Sequence, residues 1–152
     1  MKRRRLLLLL AAAAAAVLAV VLARPARPPA GFATPADCLD AYAAAGQAGD
    51  GAAYLACLAE PLRSETRQRF ADERDLAEWL RQQMSDVKSW TQRPQSRTED
   101  AAEVDVDEVR PRGTRRARYR LERQGGGWLI AAVGPARDVP GGVRYGTHVG
   151  EQ

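Results

Sequence analysis

The sequence predicts an α+β domain in which three to four helices pack on a curved antiparallel sheet of three to five strands. Between residues 34 and 87, apolar side chains recur every three or four positions, which is the spacing of one helix face. From residue 102 onward, apolar and charged residues alternate, which is typical of half-buried strands. Because the predicted helices precede the predicted strands, the two kinds of element should form separate layers.

An apolar N-terminal helix is expected before this domain. Residues 2–5 are one lysine and three arginines, and residues 6–23 contain no polar side chain. This is the layout of an export signal, although the apolar stretch approaches the ~20 residues that span a bilayer. Residues 1–23 are therefore interpreted as a signal peptide or an N-terminal membrane anchor, and both alternatives stay open. Residues 24–33, rich in proline and arginine, are interpreted as an extended spacer.

This leader predicts where the domain works and explains the basic charge of the chain. Either form would deliver the domain outside the cytoplasm, to a bacterial periplasm or cell envelope, secreted or anchored. Of the 23 basic and 19 acidic residues, five basic and no acidic ones fall in residues 1–24. The other 18 basic and 19 acidic residues give a net charge of −1. We therefore expect no nucleic-acid partner.

Start and stop signals divide residues 34–87 into separate helices. Thr34 followed by Pro35 and Asp37 is a strong start, because a hydroxyl cap, an early proline and an acid in the first turn all favour one. The stretch at residues 46–49, Gly-Gln-Ala-Gly, ends this helix, and Asp50 caps a second one. A short third helix is expected around residue 70, and a longer amphipathic helix from residue 72 to about residue 85.

Two cysteines lie on the first two predicted helices. Cys38 and Cys57 are equidistant from a turn around residues 47 and 48, so an antiparallel helix pair places them at the same height. In an oxidising compartment two thiols usually pair. We therefore expect a disulfide between Cys38 and Cys57, with two buried free thiols as the alternative.

The alternating region predicts three strands, which a shorter one around residues 89–92 can precede. Ala102, Val104 and Val106 alternate with acids, whereas Val109 falls out of phase and predicts a bulge near residues 107 and 108. Residues 117–121 alternate again, and glycines at 125–127 turn the chain into the apolar residues 128–133. Residues 134–152, rich in glycine and proline, are interpreted as a C-terminal tail.

Arginines dominate residues 110–123, and Arg116, Arg118 and Arg120 share one face of the predicted strand. Acids follow the same spacing on the strand before it. Antiparallel neighbours would set these acids beside the arginines, so a solvated ladder of ion pairs is the preferred interpretation. A patch that binds an anionic envelope polymer or lipid through these three arginines is the alternative.

Side chains suited to catalysis or metal binding are scarce. His148 is the single histidine and falls in the predicted tail, and no spacing of histidines, cysteines or carboxylates suits a metal ion. On the predicted inner face of the sheet, Tyr119 is the lone titratable residue. We therefore name no catalytic residue, metal ligand or cofactor, and favour a domain that is not an enzyme.

The order of elements, the Gly49-Asp50 turn and the Gly-Gly-Trp hairpin ending at Trp128 resemble the NTF2-like (SnoaL-like, ketosteroid-isomerase-like) cone fold over residues 34–133. This resemblance implies a concavity between helices and sheet. Isomerase members use a pocket aspartate and a tyrosine–acid pair, and no pocket aspartate is matched here, so no catalytic residue carries over. The candidate pocket residues are Tyr42, Tyr54, Trp79, Tyr119, Leu121 and Ile130.

Three functions stay open for the exported domain. The first is non-catalytic binding of a protein partner or a small apolar ligand in the concavity. The second is an isomerase-like or cyclase-like enzyme, which an acid such as Glu73 or Asp75 reaching Tyr119 would favour. The third is binding of anionic polymer or lipid by the arginine strand. The exposed sheet face is a candidate homodimer contact, and the membrane is a partner if residues 1–23 are retained.

Overall fold

A computed structural model describes residues 31–140, in which four helices precede a five-stranded sheet and confirm the predicted α+β class. The helices are α1 (Pro35–Ala48), α2 (Gly51–Ala56), α3 (Leu62–Gln68) and α4 (Glu73–Met84). The strands are β1 (Ser89–Arg97), β2 (Ala101–Arg110), β3 (Gly113–Gln124), β4 (Gly127–Val133) and β5 (Arg137–Asp138). The expected export segment, residues 1–23, lies outside the described residues, as does the tail from residue 141. Within residues 31–140, no helix has the length and apolar character needed to cross a membrane.

Side-chain caps fix where three of these helices begin. At α1, the Asp37 amide donates to Thr34 Oγ1 at 3.1 Å, and the Thr34 amide donates to Asp37 Oδ2 at 3.1 Å, forming a capping box. Asp50 and Asp72 accept backbone N–H groups at the starts of α2 and α4. Gly49, with a φ of 68°, ends α1 in the left-handed conformation. The predicted starts of α1, α2 and α4 are therefore confirmed. The third helix, expected around residue 70, lies earlier, at Leu62–Gln68, and has no side-chain cap.

The strands form one antiparallel sheet in the order β1-β2-β3-β4, and β5 pairs with β3 on the same side as β4. β5 falls in the segment that the sequence assigned to the tail. One face of the sheet, the inner face, packs against the helices. On β2 and β3 its buried side chains, each exposed by 5% or less, are Ala102, Val104, Val106, Ala117, Tyr119 and Leu121.

The bulge predicted near residues 107 and 108 is absent. Glu108 pairs with Arg115 and Val109 with Thr114, which continues the β2–β3 register without a shift to the turn. Because side chains alternate along a regular strand, Glu108 and Arg110 point to the inner face and Val109 to the outer face. The phase change in the sequence therefore marks the end of the apolar inner surface, not a change in the backbone.

The core lies where α1, α2 and α4 cover the inner face of the sheet. Its largest fully buried side chains are Trp128, Leu39, Leu58, Leu80, Leu121 and Ile130. The free side of β4 is covered by two other segments of the same chain. Phe32 forms an isolated bridge with Trp128, and Leu58 forms one with Ile130. Since covered strands cannot pair with another chain, β1 is the open edge of the sheet within the described residues.

The disulfide expected between Cys38 and Cys57 is absent, and both residues are buried free thiols. The prediction that the helix pair brings them together is correct, because the Cys38 thiol donates to the Cys57 carbonyl oxygen at 3.6 Å. The Cys57 thiol donates instead to the Ala53 carbonyl oxygen of its own helix at 3.3 Å. Each S–H group therefore has a backbone acceptor, which satisfies the thiols without a covalent bond.

Candidate functional site

A hollow lies between the helices and the inner face of the sheet. It has two lobes, of about 170 Å³ and about 370 Å³. Both lobes are lined by Tyr42, Tyr54, Trp79 and Val133. The smaller lobe extends over β1, β2 and β3, and the larger one extends toward α3. We call the two lobes together the inner hollow, and its size suits a small organic molecule.

Four aromatic side chains form the wall at the centre of the inner hollow. The Tyr42 and Tyr54 hydroxyl oxygens lie 2.8 Å apart, and their ring centroids are separated by 4.6 Å. Tyr119 meets Tyr42 edge to face at 5.7 Å and Trp90 at 5.9 Å between centroids. Such tilted and edge-to-face contacts are favourable for aromatic rings and hold the wall in one arrangement.

Burial controls the protonation of these tyrosines. It is the largest cause that raises the pKa of Tyr42, Tyr54 and Tyr119 above the ordinary value of 10.0. For Tyr119 the negative charge of Glu108 raises the pKa further. All three phenols are therefore neutral at pH 7, and they can donate a hydrogen bond but not act as phenolate bases.

Charged residues occupy the mouth of the smaller lobe. Arg110 donates to Glu108 Oε2 from Nη2 at 2.8 Å and from Nε at 3.1 Å. Arg110 also pairs with Asp86 and donates to the Gln83 carbonyl oxygen at 3.1 Å, which ties β2 to the end of α4. The Glu108 carboxylate is consequently held in an ion pair through Oε2.

Two large apolar side chains are left exposed at this hollow. Trp79 is 38% exposed and Val133 is 41% exposed, and they are the exposed large hydrophobic residues of the described range. Trp79 packs on Phe70 with 5.4 Å between ring centroids, and it lines both lobes of the hollow. Apolar exposure is thus concentrated at the inner hollow, where a bound molecule would remove it from water.

The structure brings together four of the six predicted pocket residues. Tyr42, Tyr54, Trp79 and Tyr119 line the inner hollow. Leu121 and Ile130 do not, because each is 0% exposed in the core under the helices. These two positions lie where α1 and α2 cover the sheet, whereas the hollow opens farther along the strands.

Sequence reasoning missed the polar residues of the hollow. Trp90, Glu108, Arg110 and Arg115 also line the smaller lobe. In a regular strand, the even-numbered residues from 102 onward all share one face, and Glu108 and Arg110 belong to that series. The sequence would therefore have placed both residues on the inner face if no bulge had been inferred. The acids proposed on the long helix, Glu73 and Asp75, are exposed and do not line it.

The outer face of the sheet carries the predicted ladder of acids and arginines. Arg116 donates to both oxygens of Asp107 at 2.6 and 3.0 Å, and Arg118 to both oxygens of Asp105 at 2.7 and 3.2 Å. These bonds lower the pKa of both aspartates. Arg120 pairs with Glu122 on its own strand at 2.5 Å. All three candidate arginines therefore take part in ion pairs.

Neither a group of metal-ligating side chains nor a sequence relative points to a function for this site. Within residues 31–140 no three His, Cys, Asp or Glu side chains are grouped to hold a metal ion, and His148 lies outside that range. No family model and no curated protein matches the chain.

The comparison with solved structures found two matching chains. One of them is a candidate calcium/calmodulin-dependent protein kinase type II association domain from Thiobacillus denitrificans, 21% identical, with a TM-score of 0.45 over 72% of this chain and 98% of that one. The four helices on an open antiparallel sheet described above are consistent with the NTF2-like fold.

Proposed function

We propose that this chain is an exported or membrane-tethered envelope domain that binds a small, mainly apolar ligand in the inner hollow without transforming it. The observation that carries the proposal is the exposure of Trp79 and Val133 at the hollow. Leaving large apolar side chains in water lowers stability unless something covers them. A ligand that packs between these two side chains and the tyrosine wall would bury them.

Polar atoms in the hollow would orient such a ligand. The indole N–H of Trp90 is buried and has no hydrogen-bond partner among the described residues. The Tyr42, Tyr54 and Tyr119 hydroxyls stay neutral at pH 7, as their raised pKa values indicate. An uncharged acceptor on an otherwise apolar molecule would match this lining, since apolar walls with a few polar groups are typical of small-molecule sites.

An isomerase-like enzyme is the second candidate, and Glu108 is the observation in its favour. Its carboxylate is the inward acid on β2, close enough to raise the pKa of Tyr119. Arg110, however, holds Glu108 by two hydrogen bonds to one oxygen. Because Glu108 already has a charged partner on its own strand, we favour binding over proton transfer.

Fluorescence of the neutral probe N-phenyl-1-naphthylamine tests the binding proposal on the full-length chain. We expect enhanced emission and saturable binding. Val133→Thr should weaken binding, because it places a hydroxyl on the wall of the hollow. Val109→Thr is the matched control, since Val109 faces the outer side of the sheet, and it should bind as the unmodified chain does. Equal affinities for the two variants would reject the hollow as the binding site.

The location is tested separately, by fractionating cells that express the chain. We expect the protein in the periplasmic or membrane fraction, and recovery in the cytoplasm alone would reject export. The probe measurement does not depend on this result.

A further inference from the structure

A second depression, the outer groove, lies on the opposite face of the sheet from the inner hollow. Its volume is about 450 Å³, and side chains of β2, β3 and β5 line it together with the segment that joins β4 to β5. Its charged lining residues are Arg116, Arg118, Arg120, Arg137, Glu103 and Asp105. We propose that the outer groove binds a phosphate group.

Two buried aspartates hold the arginines of this groove in place. Asp105 is 7% exposed and Asp107 is 5% exposed, although both lie on the outer face. Each accepts two parallel hydrogen bonds from one guanidinium, Asp105 from Arg118 and Asp107 from Arg116. Arg93 pairs with Asp107 as well, at 2.9 Å. The guanidinium planes are therefore oriented before any ligand arrives, which lowers the entropic cost of binding one.

The oriented arginines retain donors that face solvent. A guanidinium has five N–H groups, and the aspartate bonds occupy two nitrogens of Arg116 and two of Arg118. The Arg118 side chain remains 56% exposed and the Arg120 side chain 59% exposed. Phosphate oxygens accept such forked donors well, so the free N–H groups suit a phosphate.

β5 brings a further arginine to the groove. Arg137 lies directly opposite Arg116 in the β3–β5 pair, so two like charges face each other across the strands. Arg137 has no ion pair with any residue in the part of the chain that is described. Like charges at such positions repel each other, and a bound anion between them would remove that repulsion.

The charges lining the groove leave room for an anion. Four arginines line it, and three of them are already paired: Arg116 with Asp107, Arg118 with Asp105 and Arg120 with Glu122. The fourth, Arg137, has no ion pair among the described residues. A solvated ladder alone would not account for Arg137, which faces Arg116 and has no ion pair within residues 31–140. The inference is independent of the inner hollow, because none of these residues lines that site.

Calorimetric titration of the full-length chain with sodium phosphate tests the proposal. We expect saturable binding that Arg137→Gln weakens by about tenfold, the effect of losing one charge-assisted hydrogen bond. Arg137→Gln breaks no ion pair among the described residues, so the variant should fold. Arg112→Gln, in the β2–β3 turn outside the groove, removes the same charge and should bind phosphate normally. Absence of binding, or equal affinity of the two variants, would overturn the proposal.

A second titration identifies the source of the phosphate. Vesicles of phosphatidylcholine with and without phosphatidic acid are compared for the Arg137→Gln and Arg112→Gln variants. Stronger binding of the phosphatidic-acid vesicles by Arg112→Gln assigns the site to a lipid headgroup. Equal vesicle binding by both variants, with phosphate binding intact in Arg112→Gln, assigns it to a soluble phosphate.

Discussion

The hydroxyl groups of Tyr42 on α1 and Tyr54 on α2 form a hydrogen bond of 2.8 Å at the centre of the inner hollow. The pair joins two helices and presents two neutral phenols to the space between helices and sheet. Buried hydroxyls without partners are costly, so each tyrosine stabilises the position of the other. The wall of the hollow is therefore also part of what holds the fold together.

Removing one member of this pair should weaken the fold slightly. We expect Tyr42→Phe to lower the free energy of unfolding by about 1 kcal/mol, because the Tyr54 hydroxyl loses its partner. Tyr54→Phe should have a similar effect. The double variant should cost little more than either single one, since all three break the same bond. Urea denaturation gives the three values, and strictly additive losses would contradict the coupling.

The raised tyrosine pKa values predict sensitivity to alkali. The folded chain keeps its phenol protons at pH values where the unfolded chain, with pKa values near 10.0, has lost them. The folded state then binds more protons, so stability falls as the pH rises. We expect a contribution that is complete below pH 10.0 and lost as the pH rises above it. Urea midpoints across this range measure it, with a shallower loss in Tyr42→Phe. A flat profile would refute the burial argument.

Core residues and hollow residues should respond differently to substitution. Ile130 is fully buried and does not line the inner hollow. We expect Ile130→Val to lower the free energy of unfolding by about 0.5–1.5 kcal/mol through the cavity that it leaves. Its affinity for N-phenyl-1-naphthylamine should match that of the unmodified chain. A loss of probe affinity comparable to that of Val133→Thr would place Ile130 in the site after all.

The two cysteines should react as buried thiols. Cys38 is 0% exposed and Cys57 is 1% exposed. The neighbouring Cys57 side chain and burial raise the pKa of Cys38, which keeps its thiol protonated and unreactive. We expect a thiol reagent such as Ellman's to label both residues only after denaturation. No labelling of protein denatured without reductant would show instead that the two are oxidised to a disulfide.

Local chemistry made much of the fold readable from the sequence. Thr34, Asp50 and Asp72 cap helices in the structure, because their short polar side chains accept backbone N–H groups of the first helical turn. The alternation from Ala102 to Val106 likewise revealed the inner face of β2, since apolar residues occupy one face and acids the other.

Features that depend on tertiary contacts could not be read in this way. Val109 seemed out of phase because the pattern does not say where the helices stop covering the sheet, and that boundary turns Glu108 into a residue of the hollow. Arg137 joined the outer groove through β5, a pairing of two residues with no sequence signal. The sequence also could not show that Leu121 lies outside the hollow, because that depends on where α1 and α2 cover the sheet.

Nuclear magnetic resonance contacts between N-phenyl-1-naphthylamine and valine methyl groups test the central claim most directly. The full-length chain is examined with its valine methyls assigned. We expect cross-relaxation from the aromatic protons of the probe to Val133, at the inner hollow, and none to Val109, on the outer face of the sheet. Contacts to Val109, or to neither residue while the probe binds, would contradict the assignment of the inner hollow as the ligand site.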